Sequence, residues 1–109
     1  MVRWPARGQV YWAVVDETVG GKPYLVVSNN IRNQKLASCL AVRLTSSAKP
    51  RLETIVELGP ADRPLVGRVM CDDILLLFPD EDGFEPAGAL SPATMARVDR
   101  GLRVALALR

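Results

Sequence analysis

The sequence predicts a mainly β, β-rich α+β fold: a small, curled antiparallel sheet covered by one C-terminal helix. Three observations carry this. Short runs of strand formers recur from Val10 to Phe78, broken by glycine, proline and polar turns. The long segment with helical spacing comes last, from Ser91 onward. The 109 residues, 49% of them hydrophobic, suit one folded domain with one core and show no internal repeat or linker.

The elements follow in order. In Gly8 to Val15, Val10, Trp12 and Val14 alternate with Gln9, Tyr11 and Ala13, which predicts a strand with one buried face. A polar, glycine-ended connection over Asp16 to Gly21 leads to Tyr24–Val27, a run dry enough for a core strand. Pro23 fixes its own φ and pushes Lys22 out of the helical region, so Lys22 is expected extended at the strand entrance. Asn29 to Leu36 predicts a short helix or turn capped by Asn29 or Asn30. In Ser38 to Thr45, Leu40, Val42 and Leu44 are expected to face the core, leaving Arg43 and Thr45 to emerge together on the other side. Glu53–Leu58 and Leu65–Cys71 are two further strands, and Ile74–Phe78 is a third, set apart by Asp72-Asp73. Pro79 to Gly83 is expected to be an acidic turn. Ser91 then caps a helix with Pro92 in its first position. Met95, Val98, Leu102, Ala105 and Leu106 form its apolar stripe, and Gly101 suggests close packing.

Composition excludes several chemistries. The chain has no histidine, which removes the commonest general base and the commonest metal ligand. Cys39 and Cys71 lack paired spacing and sit in apolar runs, so they read as buried, inert thiols rather than a disulfide or zinc site. The start is polar, without a signal-peptide core, and no apolar stretch has transmembrane length, so a cytoplasmic protein without membrane association is expected. Charge is segregated. Residues 1–51 carry eight cations, Arg3 and Arg7 among them, against two acids. Residues 52–90 carry two cations against nine acids, and residues 91–109 carry four arginines against Asp99. Such a pattern fits a phosphate-facing side.

Two stretches are candidate anion sites. The strand from Lys22 holds a cation at one end and Ser28 and Asn29 at the other; it is either a ligand frame or a surface lysine before a core strand. Arg43 and Thr45 lead into Ser46, Ser47, Lys49 and Arg51, which gather phosphate-ligand types or form a solvated turn. Asp72 and Asp73 point to opposite sides of an extended chain and make a poor acid–base pair.

The ordered series Arg7-Gly8-Gln9-Val10-Tyr11, Gly21 to Asn29, Val42-Arg43-Leu44-Thr45-Ser46, Val69 to Ile74 and Leu90 to Met95 leading into Val98-Asp99-Arg100-Gly101-Leu102 resembles the MazF/PemK-like toxins of bacterial toxin–antitoxin systems. The resemblance implies an SH3-like barrel of the MazF/PemK/CcdB type with its C-terminal α-helix packed on the sheet, in one domain over residues 1–109. It implies a sequence-specific endoribonuclease acting on single-stranded RNA without metal or cofactor, a cognate antitoxin as partner, and a homodimer with RNA crossing a shared groove. The family usually has arginine where this chain has Lys22. Thr45 matches the family's phosphate-positioning hydroxyl, with Ser46 beside it. Arg43 stands where the family is usually uncharged, Asp73 where it often has glutamine and Leu75 where a basic residue is frequent.

On this resemblance Lys22, Thr45 and Arg43 are the expected catalytic residues. Ser28, Asn29, Asn30, Ser46, Ser47, Lys49, Arg51 and Asp73 are the expected RNA contacts. The expected reaction is attack of the RNA's 2′-OH on the adjacent phosphorus, giving 2′,3′-cyclic phosphate and 5′-OH ends. Two alternatives share the barrel: a CcdB-like gyrase poison, which would place a Trp-Gly-Ile end where this chain has Leu106-Ala107-Leu108-Arg109, and a non-catalytic RNA- or protein-binding module.

Overall fold

The computed structural model of the chain describes residues 4–109; Arg3, counted above in the basic first half, lies outside them. The described residues form six strands: β1 (Gln9–Ala13), β2 (Lys22–Val26), β3 (Cys39–Thr45), β4 (Ile55–Glu57), β5 (Arg68–Leu77) and β6 (Glu85–Ala89). They form one sheet in the order β4-β5-β3-β2-β1-β6, with every neighbouring pair antiparallel. Helices α1 (Asn30–Leu36), α2 (Pro79–Asp82) and α3 (Pro92–Ala105) connect and cover it. The mainly β class with a C-terminal helix on the sheet is what the sequence predicts.

The predicted break at Asp72-Asp73 is a bulge within one strand. Val42 pairs with Ile74, but the next residue, Arg43, pairs with Met70, so Cys71, Asp72 and Asp73 have no partners on β3. The extra residues bend β5 and send Cys71 N–H to Thr54 O at 2.8 Å. Leu65, in the loop before β5, packs on Gly88 of β6, where an added Cβ would meet Leu65 Cδ1 at 3.2 Å. The two ends of the sheet are thereby brought together.

Both faces of the sheet are apolar, which corrects the one-sided reading. Val10, Leu25, Val42, Leu44, Val56, Val69, Cys71, Leu90 and Val98 form one cluster under α3. On the opposite face Ala13, Tyr24, Val26, Cys39, Ala41 and Leu77 form a second, with Tyr11, Leu75 and Phe84 packed against it. Cys39 and Ala41 are therefore buried, while Leu40, expected inside, is exposed beside its exposed cross-strand partner Leu76. Trp12 shares the alternation of Val10 yet is 46% exposed, because β1 runs past the cover of α3.

Asn29 caps α1, accepting from Arg32 N–H at 2.8 Å. Ser91 caps α3, accepting from Thr94 N–H at 3.2 Å. Val98 and Gly101 are buried and Met95 and Leu102 pack on the core, but Leu106 stands at the C-cap and is exposed. Gly101 is there for space: a Cβ would lie 2.7 Å from Cys71 Sγ and 2.9 Å from Glu53 O.

Candidate active site

The site grows from the register of two strands. Tyr24 pairs with Arg43, Leu25 with Val42 and Val26 with Ala41. Continuing that antiparallel register by two residues places Lys22 opposite Thr45. Pro23 holds Lys22 in extended backbone at the first position of β2, and Thr45 is the last residue of β3. Beyond Thr45 the chain turns, with Ser47 N–H donating to Thr45 Oγ1 at 3.1 Å. Gly67 crosses so close behind that a Cβ there would meet Thr45 O at 2.4 Å. Only glycine allows this approach, and its φ of +111° suits no side chain.

Two clefts open on either side of this pairing. The first, about 430 Å³, is lined by Lys22, Arg43, Thr45, Ser46 and Ser47, faced by Trp12 and by Pro64, Leu65 and Val66 of the β4–β5 loop. The second, about 270 Å³, is lined by Lys22, Tyr24, Arg43, Asp73 and Leu75 with Val15, Asp16 and Val19 of the β1–β2 loop. Lys22 and Arg43 stand in both. Arg43 Nη1 lies 3.9 Å from Asp73 Oδ2, a loose pair. Arg43 Nε is buried without a hydrogen-bond partner. A donor in that state carries a desolvation cost that a bound acceptor would remove. Burial raises the Tyr24 phenol above its usual pKa; Asp73 and Asp82 add to this and Arg43 opposes it. The phenol therefore stays protonated at neutral pH.

The loop facing Thr45 has its own anchor. Asp62 is 2% exposed and accepts from Gly59 N–H at 2.8 Å, Ser91 N–H at 2.8 Å and Thr94 Oγ1–H at 2.6 Å. It ties the turn before Pro64–Val66 to the N-terminus of α3. Burial opposes its charge, but the hydrogen bonds from Ser91, Thr94 and Gly59 outweigh burial and hold its pKa below the usual value.

Other chemistries find few groups here. Burial pushes both thiols up to about 11, so Cys39 and Cys71 are protonated at neutral pH. Among the described residues there is no group of three or more His, Cys, Asp or Glu suited to hold a metal ion. No helix among them is long and apolar enough to cross a membrane.

The structure brings Lys22, Arg43, Thr45, Ser46, Ser47 and Asp73 together and sends the other expected contacts elsewhere. Ser28, Asn29 and Asn30 lie past the far end of β2, which corrects the idea of one frame running from Lys22 to Asn29. Ser28 is buried, donates to Asn33 and accepts from Leu40 N–H at 2.8 Å. Asn29 caps α1, and Asn30 Oδ1 accepts from Arg7 N–H at 2.7 Å. All three are spent on architecture. Lys49 and Arg51 line a separate cleft with Arg68, Arg97 and Arg100. Sequence reasoning missed Trp12 and the Pro64–Val66 wall. Trp12 was visible as an aromatic two residues beyond Val10, but its exposure depends on where α3 ends its cover.

Comparison with known proteins bears on the family and the fold. Residues 6–106 match the family described as PemK-like, MazF-like toxin of type II toxin–antitoxin system. The chain is 45% identical over 104 residues to "Endoribonuclease MazF4" of Mycobacterium tuberculosis, covering 95% of this chain and 94% of that protein. Among solved structures it is similar to "Endoribonuclease from Mycobacterial species", with TM-score 0.86 and 42% identity, covering 99% of this chain and 96% of that one. It is also similar to "Endoribonuclease in complex with its cognate antitoxin from Mycobacterial species", with TM-score 0.85 and 45% identity over 96% and 97% of the two chains.

Proposed function

The chain belongs to the PemK-like, MazF-like toxin family of type II toxin–antitoxin systems and is an endoribonuclease; from that premise we propose how its cleft cuts RNA. The substrate is single-stranded RNA, with the scissile phosphate between Lys22 and Thr45. The nucleotide's own 2′-oxygen loses its proton and attacks phosphorus while the bond to the 5′-oxygen breaks. The leaving oxygen gains a proton, and the ends are a 2′,3′-cyclic phosphate and a 5′-OH. No metal or cofactor takes part.

Lys22 stabilises the charge that builds on the phosphorane and protonates the leaving oxygen. A lysine ammonium is a compact positive charge with three N–H donors, which suits the electrostatic and acid roles. Thr45 positions a non-bridging oxygen. Arg43 adds the planar fork that lysine lacks, and its unpartnered Nε is a donor held ready for an anion. Ser46 and Ser47 bind the adjoining phosphate, and Asp73 meets a base in the second cleft. The observation that carries the reading is the convergence of Lys22, Arg43 and Thr45 on one cleft beside the exposed ring of Trp12.

The protein works in the cytoplasm as one toxin domain over residues 1–109, pairs as a homodimer and is held in check by a cognate antitoxin. The exposed Leu40 and Leu76, opposite each other on β3 and β5, support self-association. Incubation with a mixed single-stranded RNA pool in EDTA, followed by mapping of both ends at each cut, tests the chemistry. Cuts leaving cyclic phosphate and 5′-OH are expected. Loss of cutting on chelation, or 5′-phosphate products, would overturn it.

A further inference from the structure

A further cleft, about 520 Å³, does not hold Lys22. Lys49, Pro50, Arg51, Leu52 and Glu53 line one side, and Ile55, Val56, Glu57 and Arg68 line its floor, with Arg97 and Arg100 of α3 above. Its five cations come from all three charge segments of the chain, so folding brings the basic first half and the basic last segment to one place. Two carboxylates oppose them, and Glu57 Oε1 is taken up by Arg68 Nε at 3.3 Å. The other four cations are exposed.

This cleft adjoins the cutting site. Thr45, Ser46 and Ser47 line the first cleft, and Lys49 and Arg51, a few residues on, line this one. Arg68 Nη1 donates to Ser47 O at 3.2 Å, joining the two walls. The span from Thr45 to Arg51 is at most about 20 Å even when extended.

We propose that this basic cleft is a second RNA subsite, which holds the phosphate backbone a few nucleotides away from the cut. The inference rests on the endoribonuclease reading for its ligand. Continuity with Thr45 favours RNA over an acidic protein segment, because a strand seated between Lys22 and Thr45 can extend one flank over this wall. Four of the five cations are arginines, whose planar forks fit phosphate oxygens. Pro50 and the 57% exposed Leu52 give apolar surface on which unpaired bases can rest. The contacts are to backbone, so the subsite adds affinity without adding sequence preference.

Binding of random-sequence single-stranded RNA, about 6 and about 18 nucleotides long, measured over a range of salt, tests this. The probes are bound to the unaltered protein and to two double variants, Lys49→Ala/Arg51→Ala and Arg97→Ala/Arg100→Ala. All four side chains are exposed, and an unchanged melting temperature checks that the variants fold. At about 0.7 per phosphate contact on single strands, each double variant should flatten the salt dependence of the long RNA by about 1.4 logarithmic units per decade of salt. The short RNA should bind as before. An unchanged slope, an equal loss on both lengths, or lost binding of poly-glutamate with RNA binding intact would overturn the subsite. The readout is binding and not cutting, so the two readings fail separately. A protein that never cuts RNA yet shows the length-dependent slope removes the cleavage reading and keeps the subsite; one that cuts normally with an unchanged slope does the reverse.

Discussion

Replacing Asp62 by asparagine should destabilise the protein by about 3–5 kcal/mol, and the loss should narrow in acid. The carboxylate is 2% exposed and both its oxygens are in use: Oδ2 accepts from Gly59 N–H and Thr94 Oγ1–H, and Oδ1 from Ser91 N–H. An amide keeps one acceptor and turns two donors of its own on groups that already donate. Hydrogen bonds to a charged acceptor contribute about 1.5–3 kcal/mol each, and on any placement of the amide at least one backbone N–H loses its partner. For a domain near this size each kcal/mol moves the melting temperature by about 4–8 °C, so a drop of roughly 12 °C or more is expected. The folded carboxyl titrates below its unfolded value of about 3.9. Its stabilisation is fully present above that pH and is lost as pH falls through the folded pKa. The gap between the melting curves of the two proteins, followed from pH 7 down to pH 2, should therefore begin to narrow below about pH 4 and go on narrowing toward pH 2. An asparagine variant that melts with the parent at pH 7, or a gap that persists undiminished at pH 2, would refute the account of this anchor.

Three further expectations concern the helix contact and the cleft. Gly101→Ala should destabilise by about 1–3 kcal/mol in urea titration, because the overpacked contact with Cys71 and Glu53 outweighs the helix-propensity gain of up to about 1 kcal/mol; a stabilised variant would contradict that packing. Trp12→Ala should weaken binding of single-stranded RNA by about 1–3 kcal/mol, the usual worth of base–aromatic stacking, while leaving the melting temperature nearly unchanged. Unaltered RNA affinity would remove Trp12 from the site. Lys22→Arg should cut RNA at least as fast as the parent, since a guanidinium can reach two phosphate oxygens at once; a large loss of rate would show that the ammonium itself is required.

Legibility followed the range of the interactions. The cap and start of α3 were plain in Ser91 and Pro92, and Gly101 announced close packing before its neighbours Cys71 and Glu53 were known. Strand β6 was not foreseen, because Glu85-Pro86-Ala87-Gly88-Ala89 has neither apolar alternation nor branched residues. It is an edge strand, where proline is tolerated, and it takes its place from pairing with β1. The two carboxylates at Asp72-Asp73 read as a boundary, whereas pairing on both flanks makes them a bulge inside β5. Cys39 and Ala41 were placed outside by a rule that assumes one buried face, and this sheet buries both, whereas Leu40 shares the face of the buried Val42 and Leu44 and is exposed. For the site, the resemblance set Lys22 beside Thr45, and both residues line one cleft. The removal of Ser28 and Asn30 from it, and the gathering of Arg97 and Arg100 with Lys49 and Arg51, depend on tertiary contacts that no local pattern encodes, whereas the capping role of Asn29 was legible.

The central claim is that Lys22 and Thr45 act on the phosphate in the transition state and not merely in binding. Single-turnover cutting of one mapped RNA, with protein in excess, tests it most directly when paired with the affinity for the same RNA carrying a 2′-deoxy nucleotide at the cut. Lys22→Ala and Thr45→Ala should each slow cutting by about 10²–10³-fold, with affinity for the uncleavable RNA changed only a few-fold. Cutting by either variant at close to the parent rate, or a rate loss matched by an equal loss of affinity, would contradict it.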